Sequence, residues 1–225
     1  MYIMNSRVDA IVEKFLATTD GGVSVLLFGS ALEEGWTGES DIDLFLIADN
    51  LETDVSHVVL DDVVLEIQKD NFTQLLQDLE AEKGNIRNRN LATMLATAKI
   101  LKSDNASKLQ VLKQEAQAVL NSPAKYTNED EKAWRESIDD YLFKCQRDLQ
   151  RDDAVAFQLD STYVVQNLLD LFLAKHNSYL PQPKHLKARL LSLDPAFTGL
   201  FEKFCKAVSL SDKLECLSGL YAIVK

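Results

Sequence analysis

The stretch that decides the fold is Phe28-Gly29-Ser30-Ala31, together with the later Ser40-Asp41-Ile42-Asp43-Leu44. A Gly-Ser turn closes an apolar run, a polar loop follows, and two carboxylates then stand one residue apart in a second apolar run. Alternate residues of a β-strand point to the same face of the sheet. The pattern therefore predicts a strand on which Asp41 and Asp43 project together, while their apolar neighbours point into the core.

A third carboxylate follows in a run that alternates in the same way. In Val63-Val64-Leu65-Glu66-Ile67, Glu66 lies on the face opposite Val63, Leu65 and Ile67. If this strand pairs beside the first, Glu66 joins the two aspartates. Carboxylates held so close repel one another unless a cation lies between them, and oxygen ligands on a rigid strand suit Mg²⁺. Three carboxylates can hold two metal ions about 3.5–4 Å apart, an arrangement that stabilises an in-line phosphoryl displacement.

The Gly-Ser turn adds features that suit a phosphate. Gly29 lets the backbone approach an anion without a Cβ in the way. Ser30 offers a hydroxyl, and the backbone N–H groups of such a turn can surround an anion. We therefore interpret Gly29 and Ser30 as residues that can bind a phosphate group.

This set of residues resembles the polymerase-beta-type nucleotidyltransferase superfamily. Its signature is a Gly-Ser or Gly-Gly turn, an Asp-x-Asp or Asp-x-Glu strand and a third acid on a later strand, here Gly29-Ser30, Asp41-Ile42-Asp43 and Glu66. The resemblance implies that Asp41, Asp43 and Glu66 are catalytic and metal-binding, with one or two Mg²⁺ ions as cofactor and ATP or another nucleoside triphosphate as substrate.

The order of periodic segments predicts an α+β fold with two parts. Residues 1–122 read as a small mixed β-sheet domain with flanking helices, including a hairpin around Asp61-Asp62, a helix capped by Asp70-Asn71 and a short strand at Lys99–Lys102. After Asn121-Ser122-Pro123 the strand alternation ends, and residues 123–225 read as an all-α helical bundle. We expect the aromatic residues of this second part to form its core.

This layout is similar to that of the aminoglycoside-type nucleotidyltransferases, which carry a helical domain behind the catalytic one. Asn177-Ser178-Tyr179-Leu180-Pro181 with Lys184 resembles a segment of that helical domain. In such proteins a carboxylate of the helical domain can serve as the acceptor base. Glu131, Glu136, Asp139 and Asp140 stand near the start of the helical part, and the sequence does not choose among them.

The charge of the chain bears on its partners. The net charge is −11, and residues 1–122 contain 10 Lys and Arg against 20 Asp and Glu, whereas residues 123–225 contain 14 against 15. A protein that grips a nucleic-acid backbone needs a positive surface, and the short basic stretch Ile86-Arg87-Asn88-Arg89 is interpreted as the exposed start of a helix. We therefore do not expect nucleic acid as a partner, which disfavours a polymerase or tRNA-end-adding enzyme. A small cationic or polyhydroxyl acceptor is expected instead.

The remaining composition points to a cytoplasmic protein. No apolar run reaches the ~20 residues of a membrane helix, and Met1–Arg7 lacks the pattern of a secretory signal. The cysteines, Cys145, Cys205 and Cys216, show no metal-binding spacing and read as reduced thiols. The pattern leaves the oligomeric state open.

Two functions remain open from the sequence. The first is transfer of a nucleoside monophosphate, from ATP in the case of AMP, to a hydroxyl of a small molecule such as an antibiotic. The alternative is an antitoxin-like or regulatory protein that nucleotidylates, or only binds, a partner protein. Neither His176 nor His185 has an Arg four to six residues upstream, so the helical half does not match the ribonuclease signature of such partners.

Overall fold

A mixed β-sheet forms the centre of the first half of the protein, in a computed structural model that describes residues 6–32 and 36–225. Its strands run in the order β3-β4-β2-β1-β5. β2 and β4 are parallel, and the other neighbours are antiparallel. The strands are β1 (Ser24–Phe28), β2 (Ile42–Ile47), β3 (Asp54–Leu60), β4 (Val63–Asp70) and β5 (Lys99–Lys102).

Helices make up most of the rest of the described chain. They are α1 (Ser6–Thr18), α2 (Phe72–Glu82), α3 (Asn90–Thr97), α4 (Ala106–Asn121), α5 (Asn128–Gln150), α6 (Ala154–Lys175), α7 (Pro183–Leu193), α8 (Pro195–Lys206) and α9 (Leu210–Val224). A single 3-10 turn, Gly29–Leu32, follows β1 directly. The predicted fold class, an α+β domain followed along the chain by an all-α part, is confirmed. Within the described residues, no helix combines the length and the apolar character needed to span a membrane.

Apolar residues pack on both faces of the sheet, whereas the alternation in the sequence placed a core on one face only. On one face, residues such as Val25, Leu44 and Leu65 pack against Val8, Ile11 and other residues of α1. On the opposite face, Leu26, Phe28, Phe45 and Ile47 pack against apolar residues of α2, α3 and α4. The sheet is therefore a central layer, and its outer strand β3 is largely exposed.

Local signals in the first half place its elements well. The predicted hairpin is present: Asp61 and Asp62 have φ values of 49° and 62°, as a type I′ two-residue turn requires. Asn71 caps α2 by accepting a hydrogen bond from the N–H of Gln74 at 2.9 Å. The helix ends at Glu82, whose buried carboxylate accepts hydrogen bonds from the N–H groups of Leu91 and Ala92 at the start of α3.

The chain divides into two compact units whose boundary is not a single point. One unit contains residues 1–83 and 90–121, and the other contains residues 84–89 and 122–225. The second unit has its own core, built mainly from α5 to α9 and including the buried rings of Phe157, Phe172 and Phe197. The expectation that the aromatic residues form this core holds for these rings, but Tyr126, Phe143 and Tyr163 are exposed. The hexapeptide 84–89, which we call the strap, packs with these helices although it lies in the first half of the sequence.

The strap corrects one interpretation of the sequence. Arg89 was expected at an exposed helix start, but only 1% of its surface is exposed. Its guanidinium donates to the carbonyl oxygens of Asn85 and Ser122, at 2.8 Å each, and lies 4.9 Å from the ring centre of Tyr179. The carbonyl groups replace the hydration that burial removes, which is why a buried cation is tolerated here.

Candidate active site

A row of residues crosses the sheet at the end of β1 and the start of β2. In the strand register Phe28 of β1 is the partner of Asp43 in β2, Asp43 is the partner of Glu66 in β4, and Glu66 is the partner of His57 in β3. Directly paired residues of a sheet project from the same face. The two carboxylates are therefore neighbours across a parallel strand pair, and both are half-buried.

Gly29 and Asp43 approach each other so closely that a side chain at position 29 would force Asp43 or the backbone to move. Gly29 has φ +74°, and a Cβ built on it would lie 2.9 Å from Cγ of Asp43 and closer still to its Oδ2. The carboxylate of Asp43 thus occupies the space that a side chain at position 29 would need. The sequence pairing of a glycine turn with an Asp-x-Asp strand corresponds here to a direct contact.

Ser30 continues the turn toward the start of β2. Its Oγ lies 3.0 Å from Oγ of Ser40, the residue before Asp41. Either hydroxyl can be the donor. The contact connects the 3-10 turn to the loop that precedes β2, so the turn and the first aspartate are held near each other.

Glu66 is held by two side chains on the same face of the sheet. Nε2 of Gln68 donates to Oε1 of Glu66 at 3.0 Å, and Nε2 of His57 lies 3.7 Å from Oε2. The histidine is more than half exposed, whereas 30% of the Glu66 side chain is exposed. Both carboxylate oxygens of Glu66 therefore face a nitrogen of a neighbouring residue.

Asp41 lies just outside the strand on which it was predicted. β2 begins at Ile42, so Asp41 is the last residue of the preceding loop and is exposed. Throughout residues 6–32 and 36–225, no group of three or more His, Cys, Asp or Glu side chains is arranged to hold a metal ion. The site formed by Asp41, Asp43 and Glu66 therefore stays a prediction, with Asp43 and Glu66 placed as cross-strand neighbours.

The residues present fit a cation and a phosphate in two respects. The carboxylate of Asp43 lies against the glycine turn, with no Cβ at position 29 between it and the backbone. Carboxylate and hydroxyl oxygens are also the ligand types that Mg²⁺ prefers. With few protein ligands preformed, Mg²⁺ would complete its shell with waters and substrate phosphates, as it usually does.

The four carboxylates considered as acceptor base lie on α5, and each interacts with a side chain of α5 or α9. Glu131 pairs with Arg135 at 2.6 Å, and the hydrogen bond from this guanidinium is the main cause of a lowered pKa for Glu131. Lys132 lies 3.7 Å from Glu136, and Lys144 lies 2.8 Å from Asp140. The raised pKa of Tyr221, due mainly to burial, owes part of its shift to Asp139. The choice among the four carboxylates stays open.

Sequence reasoning missed the residues that surround the predicted ones. Ser40, His57 and Gln68 carry no motif of their own. Gln68 could have been found, because it stands two residues after Glu66 on an alternating strand and so shares its face. His57 becomes visible only once the hairpin register is known, because that register decides which residue lies opposite Glu66.

Comparison with known proteins agrees with this geometry. The family model described as "Nucleotidyltransferase domain" matches residues 9–169, well over half of the chain. No curated protein matches. A crystal structure of a nucleotidyltransferase-like protein from Exiguobacterium sibiricum 255-15 is similar over 97% of this chain and 73% of that one, with 15% identity and a TM-score of 0.47. On the family match, which includes the Gly29 turn and the three acidic positions, this chain belongs to the nucleotidyltransferase domain family, of the polymerase-beta type.

Proposed function

We propose that this protein is a Mg²⁺-dependent nucleotidyltransferase that moves AMP from ATP to a hydroxyl of a small molecule. The observation that supports this best is the contact between the Gly29 turn and Asp43, with Glu66 beside Asp43 in the strand register. It brings a phosphate-binding type of turn and two carboxylates to one end of β1 and β2.

Each residue of the site has a distinct role in this proposal. Asp41, Asp43 and Glu66 would hold the metal ion. When bound, this ion neutralises negative charge on the triphosphate and on the attacking and leaving oxygens. The Gly29 backbone and the Ser30 hydroxyl would bind the outer phosphates by donating hydrogen bonds. The catalytic contribution of the protein is then positioning and charge stabilisation rather than a covalent intermediate.

The reaction balances as a single displacement at the α-phosphorus. A bond forms between the acceptor oxygen and this phosphorus, the bond to the β-phosphate oxygen breaks, and pyrophosphate leaves. The acceptor proton passes to a carboxylate, for which Glu66 is one candidate. A base within hydrogen-bond reach of the acceptor hydroxyl is what this step requires.

The class of acceptor is proposed from charge. The residues before position 123 carry nearly all of the net negative charge of the chain. Such a surface favours a cationic or polyhydroxyl molecule over a polyanion. We therefore propose an amino-sugar-like or related small acceptor.

The metal-dependent binding of ATP tests the site directly. Asp43→Asn keeps the shape of the side chain and removes its charge, so the variant should still fold. Its MgATP affinity, measured by calorimetry, should fall by more than about 100-fold, because loss of a direct metal ligand costs more than loss of the residues that orient it. Glu80→Gln is the matched control: it removes one charge from an exposed residue of α2 that pairs with Lys83. Unchanged MgATP affinity in Asp43→Asn would sink the proposed site.

The acceptor is tested with labelled ATP. The protein is incubated with Mg²⁺, ATP labelled at the α-phosphate and separate acceptors: aminoglycosides, lincosamides, tRNA and cell lysate. Label on one small molecule with matching pyrophosphate release supports the proposal. Label on tRNA contradicts the charge argument, and label on a protein band favours the regulatory alternative, in which a partner protein is nucleotidylated.

A further inference from the structure

We propose that Gln68 is a positioning residue that fixes the carboxylate of Glu66 for metal binding. The inference deepens the proposed function and rests on it, since it concerns the same site. Its observation is independent of the sequence motif: the hydrogen bond from Nε2 of Gln68 to Oε1 of Glu66, 3.0 Å long.

The geometry leaves the direction of this hydrogen bond unambiguous. A carboxylate only accepts hydrogen bonds, so the amide must present its NH₂ group rather than its oxygen. Gln68 stands two residues after Glu66 on β4 and is half-buried, with buried Phe45 as its partner in β2. The neighbouring strand therefore limits the space in which the Gln68 side chain can turn.

His57 is a weaker candidate for the same role. Its Nε2 lies 3.7 Å from Oε2 of Glu66, too far for a hydrogen bond, and its side chain is 57% exposed. Gln68 makes the contact that has hydrogen-bond geometry. The positioning role is therefore assigned to Gln68.

A fixed carboxylate matters because a glutamate side chain is flexible. Holding the Glu66 side chain in one rotamer costs conformational entropy. The hydrogen bond from Gln68 offsets this cost in the metal-free protein, so metal binding does not have to. Removing such outer partners of metal ligands typically costs 10–100-fold in metal affinity. Gln68 should thus affect metal binding without touching the metal.

The test measures Mn²⁺ binding by electron paramagnetic resonance in the presence of α,β-methylene ATP, which cannot react at the α–β bond. Gln68→Met keeps the length of the side chain and removes the donor. We expect a roughly 10-fold loss of Mn²⁺ affinity with an unchanged thermal midpoint. Gln74→Met is the matched control, since it removes an amide-to-carboxylate bond of 2.9 Å to Asp78 on α2, and it should bind Mn²⁺ as the wild type does.

The double variant separates positioning from a merely structural role. In a Glu66→Gln background, Gln68→Met should cause no further loss, because the group that it positions has lost its charge. An additive loss, or wild-type Mn²⁺ affinity in Gln68→Met, overturns the inference while Glu66 keeps its role. If Glu66→Gln itself binds Mn²⁺ normally, the inference fails together with the role of Glu66. The outcome for Asp43→Asn then decides separately whether the proposed function stands.

Discussion

At the scale of single residues, the contact between Gly29 and Asp43 constrains the site most. Position 29 needs a left-handed backbone, with φ +74°, and leaves no space for a Cβ beside the Asp43 carboxylate. A glycine meets both conditions at no steric cost. Gly29 therefore belongs both to the turn that follows β1 and to the proposed carboxylate site.

The first prediction concerns this residue. Gly29→Ala should lower the free energy of unfolding by about 1–2 kcal/mol, since the new Cβ forces either the backbone or Asp43 to move. It should also weaken MgATP binding, because the displaced carboxylate is a proposed ligand. Chemical denaturation and calorimetry measure the two effects.

A second glycine provides the control for this variant. Gly21 has no atom within 4 Å of a built Cβ and does not need a positive φ. Gly21→Ala should therefore leave both stability and nucleotide binding almost unchanged. Equal behaviour of the two alanine variants would show that the close approach at Gly29 has no energetic consequence.

At the scale of elements, the α5–α6 hairpin brings two carboxyl groups, those of Asp148 and Asp160, close to one arginine. Asp148 is 1% exposed, and Arg147 contacts it at 2.9 Å while lying 3.9 Å from Asp160. Burial, followed by the hydrogen bond and the charge of Asp148, raises the pKa of Asp160 despite the opposing charges of Lys144 and Arg147. The ionised form of Asp160 is therefore disfavoured in the folded protein.

The same environment acts on the thiol of Cys145, a residue of α5 that precedes both carboxyl groups in the sequence. Cys145 is buried, and this burial, with smaller effects of Asp160 and Asp148, raises its pKa to about 12. The thiol therefore remains protonated at neutral pH and is a poor nucleophile. This fits the interpretation of the cysteine as a reduced, inactive thiol.

The second prediction is a pH dependence of stability at this hairpin. Because the pKa of Asp160 is higher in the folded state than its ordinary value of 3.8, the folded state binds more protons above that pH. The contribution of Asp160 is thus most favourable below pH 3.8 and is lost as the pH rises through the folded-state pKa. Asp160→Asn should remove this loss and be more stable than the wild type at pH 7.

The measurement is denaturant unfolding between pH 3.5 and pH 7, for the wild type and the variant. The stability difference in favour of Asp160→Asn should grow with pH across this range. Glu136→Gln, which removes an exposed charge from α5 beside Lys132, should show no such trend. A difference that is constant or shrinks with rising pH would contradict the assigned shift.

At the scale of the whole molecule, the strap decides which residues a fragment must contain if the second unit is to fold alone. Ile86 lies in the core of that unit, and its carbonyl accepts the N–H of Leu180 at 2.7 Å. Arg87 forms a hydrogen-bonded ion pair with the buried Asp170, which raises the pKa of the guanidinium. The strap therefore supplies core packing and the partner of a buried charge.

The third prediction follows for a fragment. A fragment with residues 123–225, the helical domain as delimited from the sequence, should lack cooperative unfolding, since it exposes the Ile86 site and leaves Asp170 without its cation. Removing one partner of a buried ion pair alone costs about 3–5 kcal/mol, and somewhat less here because Arg87 is largely exposed. Thermal unfolding followed by near-ultraviolet circular dichroism tests this.

The fragment carries its own check. Asp170→Asn within residues 123–225 should be more ordered than the unmodified fragment, because no uncompensated carboxylate is then buried. In the full chain the same substitution should destabilise, because Arg87 loses its partner. A fragment 123–225 that unfolds as cooperatively as the full protein would show that the strap is dispensable. We accordingly propose residues 84–89 as part of the helical domain.

The sequence by itself determined the elements and the outline of the site. Period-two alternation located β2 and β4, and Asp61-Asp62 located the hairpin turn. Gly29-Ser30 together with Asp41, Asp43 and Glu66 indicated the family. The strands and the hairpin depend on residues within a few positions of one another, where backbone geometry relates spacing directly to direction, and the family signature depends on the order of such local motifs along the chain. They could therefore be read without knowing any distant contact.

Only the tertiary structure decided which distant residues meet. The strand register placed Glu66 between Asp43 and His57, and β2 begins only after Asp41. Burial of Arg89 against Ser122 and Tyr179 moved the strap into the helical unit, contrary to its position in the chain. Such contacts join residues tens of positions apart, and their free energy depends on packing and desolvation, which no local pattern records.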